Sequence, residues 1–226
     1  MSLTTTGYAR IRELLLSEQA LGEERISINS LSSRLGIGRT PVRDAVNRLA
    51  AAGLVKPVAR SGILIAPLSC RQLRDIVELR EALEPFAAER ACGRLDCDQL
   101  GRLRELCCEM RRAAIGIRNA SFEDEALNRR MRLADALFHS VVFDAVGNEE
   151  MRRIVEDHRL LLTKVRYPSK RTVCHLALTL WEHWRIYRAM VREDRTEARL
   201  WMLRHSRRGG REILKSWMKV QEERPQ

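Results

Sequence analysis

The feature that most constrains this sequence is a tight turn between two short helical segments within residues 28–55. The first segment is predicted to end at Gly36, because glycine readily adopts the left-handed conformation that closes a helix C-terminus. Thr40 is predicted to cap the second segment, and Pro41 fits its first turn, where no backbone N–H donor is needed. The pattern therefore predicts two helices joined by a tight, glycine-containing turn.

The second segment has an apolar stripe and a separate polar face. At helical spacing the stripe consists of Val42, Ala45, Val46 and Leu49, and the polar face consists of Thr40, Arg43 and Asn47. Arginine can read guanine through two hydrogen bonds, asparagine can read adenine, and threonine suits a phosphate contact. This arrangement predicts a DNA-binding helix-turn-helix. A surface helical hairpin with a solvated polar face is the alternative.

Two short apolar runs follow the second segment, at residues 54–58 and 63–65. They flank Ala59-Arg60-Ser61-Gly62, so they predict a two-stranded hairpin with a basic tip, the wing of a winged helix-turn-helix. Arg60 and the flexible Gly62 are suited to the minor groove, whose narrow A·T stretches attract arginine.

Beyond the wing the chain changes character, which predicts two domains, residues 1–68 and 69–226. Pro67 cannot continue a strand ladder, and Ser69 with Gln72 can form a capping box. Six amphipathic helices are predicted at residues 69–92, 96–114, 121–145, 148–166, 171–192 and 196–222. Their predicted N-caps are Ser69, Asp96, Ser121, Asn148 and Thr196. The predicted fold is mainly α, with an N-terminal winged helix-turn-helix and a C-terminal all-α antiparallel bundle.

Four side chains in the predicted bundle are candidates for a metal site. Asp135 and His139 are four residues apart and share one helical face, while His183 and His205 lie on the last two helices. One carboxylate and three imidazoles that converged from three helices would suit a divalent ion such as Zn²⁺, Ni²⁺, Mn²⁺ or Fe²⁺. Spacing does not establish that they converge, and the alternative is that each histidine is an ordinary packed or solvated residue.

Composition narrows the class of protein only slightly. The formal charge of +11 is compatible with a polyanionic partner but does not identify one. No stretch approaches the roughly 20 apolar residues that span a bilayer. The first six residues have neither the basic nor the apolar region of a secretory signal, so we expect a cytoplasmic location and no membrane partner.

The N-terminal part resembles the DNA-binding domain of GntR-type bacterial transcription regulators. The resemblance is carried by Gly36-Ile37-Gly38-Arg39-Thr40-Pro41-Val42-Arg43-Asp44-Ala45, by Gly53-Leu54-Val55 and by Arg60-Ser61-Gly62. It implies that Arg39 and Arg43 contact base edges, Thr40 a phosphate, and Gly62 the minor groove. Gly38 departs from the usual Ser or Thr, which implies one phosphate contact fewer, and Gly22-Glu23 departs from the usual Pro-Gly.

The C-terminal part resembles the FCD effector domain of the FadR-type GntR branch. The matching residues are Glu78 to Glu84, Asp135 to His139, Gly147-Asn148, Glu182-His183 with Ile186, and Ala198, Met202 and His205. The resemblance implies a metal held by Asp135, His139, His183 and His205, and six helices imply the shorter, VanR-like variant. It also implies a small organic, sugar or amino acid as effector. Arg80 is our candidate for gripping its carboxylate, and a salt bridge with Glu84 is the alternative.

These patterns together predict a homodimeric transcription regulator, in this family most often a repressor, and no enzyme. Each protomer would insert the helix Thr40–Ala51 into the major groove of one half-site of a palindromic operator. One rival is a metal-dependent hydrolase or lyase that uses the Asp/His site, which would need a nearby general base, and the sequence has no HExxH motif. Another rival is a DNA-binding architectural protein whose bundle is purely structural.

Overall fold

The computed structural model describes residues 10–11, 14, 25–51, 55–58, 62–64, 69–119, 124–163 and 173–222. These residues fall into two compact units. The first unit contains the described residues up to Ser69 together with 157–163, and the second contains the others.

Between residues 25 and 64 the first unit contains a small sheet and two helices. Its elements in chain order are β1 (Arg25–Ile26), α1 (Ile28–Leu35), α2 (Arg39–Ala51), β2 (Lys56–Val58) and β3 (Gly62–Leu64). β3 lies in the middle and pairs antiparallel with both neighbours. The β2–β3 hairpin is therefore present as predicted, whereas the two-residue β1 was not predicted. Arg60, at the predicted tip, lies outside the described residues.

Local hydrogen bonds explain the turn between α1 and α2. Ser27 caps α1 by accepting a hydrogen bond from the Ser30 N–H at 3.0 Å. Gly36 has φ 62°, which confirms the predicted left-handed C-cap. α2 begins at Arg39, and the Val42 N–H donates to the Gly38 carbonyl. The prediction of Thr40 as the cap was therefore wrong, because helical bonding starts at the Gly38 carbonyl, two residues earlier, and places Thr40 inside the first turn.

The predicted apolar stripe of α2 is confirmed as the side that faces the core. The fully or almost fully buried side chains of the two helices are Leu31, Leu35, Val42, Ala45, Val46 and Leu49. Together with Ile26 of β1 and Ile63 of β3 they form the apolar centre of the first unit. Their burial fixes which face of α2 is left to solvent.

At Gly62 in β3 the backbone of β1 lies very close. Its φ of 104° lies in a region that residues with a side chain rarely adopt, and a Cβ there would lie 2.1 Å from the Ile26 carbonyl oxygen. Because β1 pairs with β3 at this point, the sheet itself requires a glycine. The predicted minor-groove contact of Gly62 stays a prediction.

Six helices follow along the described chain, as predicted. They are α3 (Cys70–Ala91), α4 (Cys97–Asn119), α5 (Glu125–Val146), α6 (Glu149–Thr163), α7 (Val173–Val191) and α8 (Arg195–Glu222). The core of the second unit is apolar and includes Leu103, Leu106, Met110, Phe138 and Ile186, all fully buried. None of these helices is long and apolar enough to cross a membrane.

Two of the predicted caps of the bundle helices are confirmed, and the cap predicted for α8 was wrong. Asp96 and Gln99 cap α4 reciprocally, and Asn148 accepts from the Met151 N–H. α8 is capped by Asp194, not Thr196: the helix already begins at Arg195, and the Asp194 carboxylate accepts from the Glu197 N–H at 2.9 Å. An anionic cap also interacts favourably with the positive end of the helix dipole.

The cap predicted for α5 was also wrong. Its N-cap is Asp124, which accepts from the Leu127 N–H at 3.0 Å. The predicted cap Ser121 lies outside the described residues, and the helix begins at Glu125, too far along the chain for Ser121 to cap it.

We expect Gly62→Ala to destabilise the first unit by about 2–4 kcal/mol, because the new methyl group overlaps the β1 backbone and the φ angle is unfavourable. The measurement is hydrogen exchange of the β1 and β3 amides in the full chain. Gly38→Ala is the matched control, since a Cβ there meets only Pro41 atoms at ordinary contact distance, 3.7 Å and beyond. Equal protection in the two variants would contradict this account of Gly62.

Candidate functional site

The first candidate site is the solvent face of α2. Arg39, Thr40, Arg43 and Asn47 are all exposed on it. They lie beside one another because successive residues turn by about 100° around a helix, while the buried stripe occupies the other side. The face therefore presents two guanidinium groups, a hydroxyl and an amide to a partner, which are the groups that read DNA.

The second candidate site joins the four side chains predicted to hold a metal. Asp135 and His139 come from α5, His183 from α7 and His205 from α8. One ligand atom from each lies within 4.8 Å of the others. The three histidines are buried, whereas Asp135 keeps a third of its side chain exposed. Asp135 is therefore the member of the cluster that reaches solvent.

The distances in this Asp/His cluster suit a divalent ion. Asp135 Oδ1 lies 3.2 Å from His183 Nε2 and 3.8 Å from His205 Nε2. His139 Nε2 and His205 Nε2 are 3.2 Å apart. Ligand atoms about 2.1 Å from one ion stand roughly 3.0–4.2 Å from each other, so these three separations fit a shared centre.

The outer ring nitrogens fix which atoms point to that centre. His183 Nδ1 donates to the Thr179 carbonyl at 2.8 Å, and His205 Nδ1 donates to Glu182 Oε2 at 3.0 Å. Carbonyl and carboxylate oxygens only accept, so both Nδ1 atoms carry the proton. A ring that carries its single proton on Nδ1 keeps a lone pair on Nε2, and Nε2 of both rings faces the Asp135 carboxylate. A cation satisfies such converging acceptors, which is the usual arrangement of histidines at metal sites.

The electrostatics of the cluster agree with this arrangement. Partial burial raises the pKa of Asp135, but His183, His139 and His205 around it outweigh that effect and hold its pKa well below the usual range. Burial and the neighbouring His183 lower the pKa of His205. Near neutral pH the cluster therefore offers an ionised carboxylate and a neutral His205 imidazole, the protonation states that metal binding needs.

Sequence reasoning missed the residues behind His205. Arg208 binds Glu182 through two hydrogen bonds, at 2.8 Å from Nε to Oε1 and at 2.5 Å from Nη2 to Oε2. Burial acts to raise the pKa of Glu182, but the hydrogen bonds from Arg208 and His205 lower it to about 2. Glu182 adjoins His183 in the chain, yet it serves His205 on another helix. No spacing in the sequence signals that contact.

Arg80 makes the contact that we gave as the alternative to effector binding. Its Nε lies 2.7 Å from Glu84 Oε1 and its Nη2 3.3 Å from Oε2. Glu84 is fully buried, accepts from Ser206 Oγ at 2.6 Å and has Oε2 3.6 Å from His139 Nδ1. The Arg80 guanidinium is thus engaged beside the cluster, and its role toward an effector stays a prediction.

The profile of the FCD domain matches residues 75–208, more than half of the chain, and that of the gntR family of bacterial regulatory proteins matches residues 3–65. The chain belongs to the GntR family of transcription regulators with an FCD domain. The resemblance seen in the sequence is confirmed, and so are the mainly α fold and the assignment to regulators rather than enzymes. The hydrolase alternative is thereby set aside.

Individual relatives are also described as transcription regulators. The chain is 26% identical to the uncharacterized HTH-type transcriptional regulator YdhC of Bacillus subtilis, over 88% of this chain and 85% of that protein. It is 25% identical to the HTH-type transcriptional repressor RspR of Escherichia coli, over 75% of this chain and 70% of that protein. The solved structure of E. coli McbR/YncC is similar in fold, with a TM-score of 0.78 at 17% identity, covering 96% of this chain and 99% of that one.

We expect Arg80→Met to lower the free energy of unfolding by about 3 kcal/mol, because the fully buried Glu84 carboxylate would lose its ionic partner. Urea unfolding followed by tryptophan fluorescence measures this, since all four tryptophans lie on α7 and α8. Arg199→Met is the control, because the Arg199–Glu89 pair is exposed and such pairs contribute about 0–1 kcal/mol. Equal losses in the two variants would show that the buried pair does not stabilise the bundle.

Proposed function

We propose that this regulator is a cytoplasmic, homodimeric repressor whose binding to a palindromic operator is controlled by a small carboxylate bound at a metal in the FCD domain. The observation that carries the proposal is the convergence of Asp135, His139, His183 and His205, with outward hydrogen bonds that direct two Nε2 atoms inward. The repressor assignment is supported by the family and by the relative RspR.

In the proposed DNA complex α2 enters the major groove of one half-site. Arg39 and Arg43 would contact guanine edges, Asn47 an adenine, and Thr40 a phosphate. The exposure of all four side chains supports these roles. Arg60 and Gly62 are proposed to lie at the minor groove, where arginine binds narrow A·T stretches. Two copies related by a two-fold axis would read the two halves of the palindrome.

In the FCD domain the four ligand side chains would hold Zn²⁺, Ni²⁺, Mn²⁺ or Fe²⁺. The ion supplies a Lewis-acid centre for a carboxylate oxygen of an organic, sugar or amino acid. Asp135, the partly exposed ligand, marks the side from which the effector would reach it. Arg80 would donate a further hydrogen bond to the effector carboxylate. To do so, its guanidinium would either leave Glu84 or bind Glu84 and the effector together.

Control of DNA binding requires that the effector favour one arrangement of the dimer over another. The coupling free energy between two such sites is typically about 1–3 kcal/mol, equivalent to a change of roughly 5–150-fold in operator affinity. The ligands come from α5, α7 and α8, so an effector that draws the cluster together changes the packing of three helices of the bundle at once.

We expect Arg43→Ala to abolish sequence-specific operator binding while the chain stays folded, because one bidentate base contact is lost. Binding is measured by gel shift at fixed salt. Arg48→Ala is the control: Arg48 is exposed on the same helix but lies about 140° farther round, away from the reading face. Its loss should weaken binding modestly and equally for all sequences. Unchanged specific affinity in Arg43→Ala would refute the reading role of α2.

We expect the purified protein to contain about one divalent ion per chain, because the described residues offer one such Asp/His cluster. Elemental analysis measures the content, and Asp135→Asn should reduce it. Small carboxylic acids should then raise the melting temperature only when the metal is present. An absence of metal, together with no thermal shift on adding Zn²⁺ or Ni²⁺, would leave a DNA-binding protein with a purely structural bundle.

A further inference from the structure

We propose that Arg208 is a positioning residue that orients two of the three histidines of the Asp/His cluster at the same time. The inference rests on the proposed metal-dependent function, which assigns a metal to the cluster but gives Arg208 no part in it. Arg208 contacts none of the four proposed ligands in the hydrogen bonds described here. It acts through the two groups that hold the outer nitrogens of His205 and His183.

The first arm of this arrangement runs through Glu182. The guanidinium holds both carboxylate oxygens of Glu182, and Oε2 in turn accepts from His205 Nδ1. The Glu182 side chain is 7% exposed and that of Arg208 is 17% exposed, so the pair is largely shielded from water. A carboxylate fixed by a two-pronged contact has one orientation, and it therefore fixes the plane and tautomer of the His205 ring.

The second arm runs through Thr179. Arg208 Nη2 donates to Thr179 Oγ1 at 2.9 Å, and the carbonyl of the same residue accepts from His183 Nδ1 at 2.8 Å. Thr179 Oγ1 also donates to the His175 carbonyl one turn earlier, and His175 Nδ1 lies 3.2 Å from Arg208 Nη1. The guanidinium is therefore hydrogen-bonded to the turn of α7 whose Thr179 carbonyl accepts from His183 Nδ1.

The fork of a guanidinium is what makes this double role possible. Arg208 faces Glu182 with Nε and Nη2, Thr179 with Nη2 and His175 with Nη1. The N–H groups of a guanidinium lie in one plane at fixed spacing. Arg208 therefore fixes the positions of Glu182 and Thr179 relative to each other. A single side chain thus sets the geometry of His205 on α8 and His183 on α7. His139 Nδ1 lies 3.6 Å from Glu84 Oε2, and Arg80 rather than Arg208 holds that carboxylate, so His139 should be insensitive to Arg208.

The first test measures Co²⁺ binding to the full chain by calorimetry and by the visible absorption of the bound ion. We expect Arg208→Met to weaken binding by about 10–100-fold, as is typical when an outer partner of a metal ligand is lost, and to shift the absorption bands. Arg207→Met is the matched control, since the neighbouring Arg207 pairs with Glu81 in an exposed contact. A purely structural role would lower the melting temperature without moving affinity or spectrum, and that result would overturn the proposal.

The second test does not need a metal and so separates this inference from the proposed function. In the metal-free protein, nitrogen NMR of the imidazoles should find both His183 and His205 protonated on Nδ1. Arg208→Met should change the tautomer populations of both rings. Glu182→Met, which removes the acceptor of His205 Nδ1, should change those of His205 alone. If the wild type binds no Co²⁺ but shows these tautomers, the metal site fails and the positioning role stands.

Two NMR results would contradict the positioning role of Arg208. A wild-type His205 protonated on Nε2, or tautomers unchanged in Arg208→Met, would overturn the positioning role. If Arg208→Met loses its helical circular dichroism, Glu182→Met decides the question, because it removes the acceptor of His205 Nδ1 and keeps a side chain of similar length. Unchanged Co²⁺ affinity and an unchanged His205 tautomer in that variant would also overturn it.

Discussion

The close approach of α8 to α3 is the constraint on which the candidate metal centre depends. Gly210 makes it possible, because a Cβ at that position would lie 2.4 Å from Val77 Cγ1. In the five residues before Gly210, α8 supplies His205 to the cluster, Ser206 to the buried Glu84 and Arg208 to Glu182 on α7. A displacement of this helix would break all three contacts together, so cluster and core share the same packing.

Charge in this protein matters by position rather than by amount. The excess of +11 is spread over a long chain and identifies no partner. In the bundle, each of the two carboxylates behind the cluster is held by a guanidinium: Arg80 holds Glu84, and Arg208 holds Glu182. Pairing offsets the cost of burying these charges and leaves Asp135 as the anion directed at the centre. In the first unit, the exposed Arg39 and Arg43 matter because they share the solvent face of α2.

Local rules predicted the features that depend on neighbours in the chain. Apolar residues at helical spacing gave all six bundle helices and the buried stripe of α2, and cap chemistry gave Asp96 and Asn148. Local rules failed where two suitable residues compete, as at Asp194 and Thr196, since either can cap a helix. They also missed β1, because two residues are too short to show a strand period and are held only by pairing with β3.

The candidate metal site was also predicted in part by local spacing and decided in part by contacts between helices. Helical spacing put Asp135 and His139 on one face, and His183 and His205 were candidates from their places on the last two helices. The resemblance to the family implied that all four hold one metal. The sequence by itself thus determined the fold class and which four side chains to compare. Only the tertiary structure decided that their ligand atoms meet, that Arg80 lies on Glu84, and that Glu182 and Arg208 stand behind His205. Periodicity describes one helix at a time, whereas contacts between helices depend on how closely the helices pack.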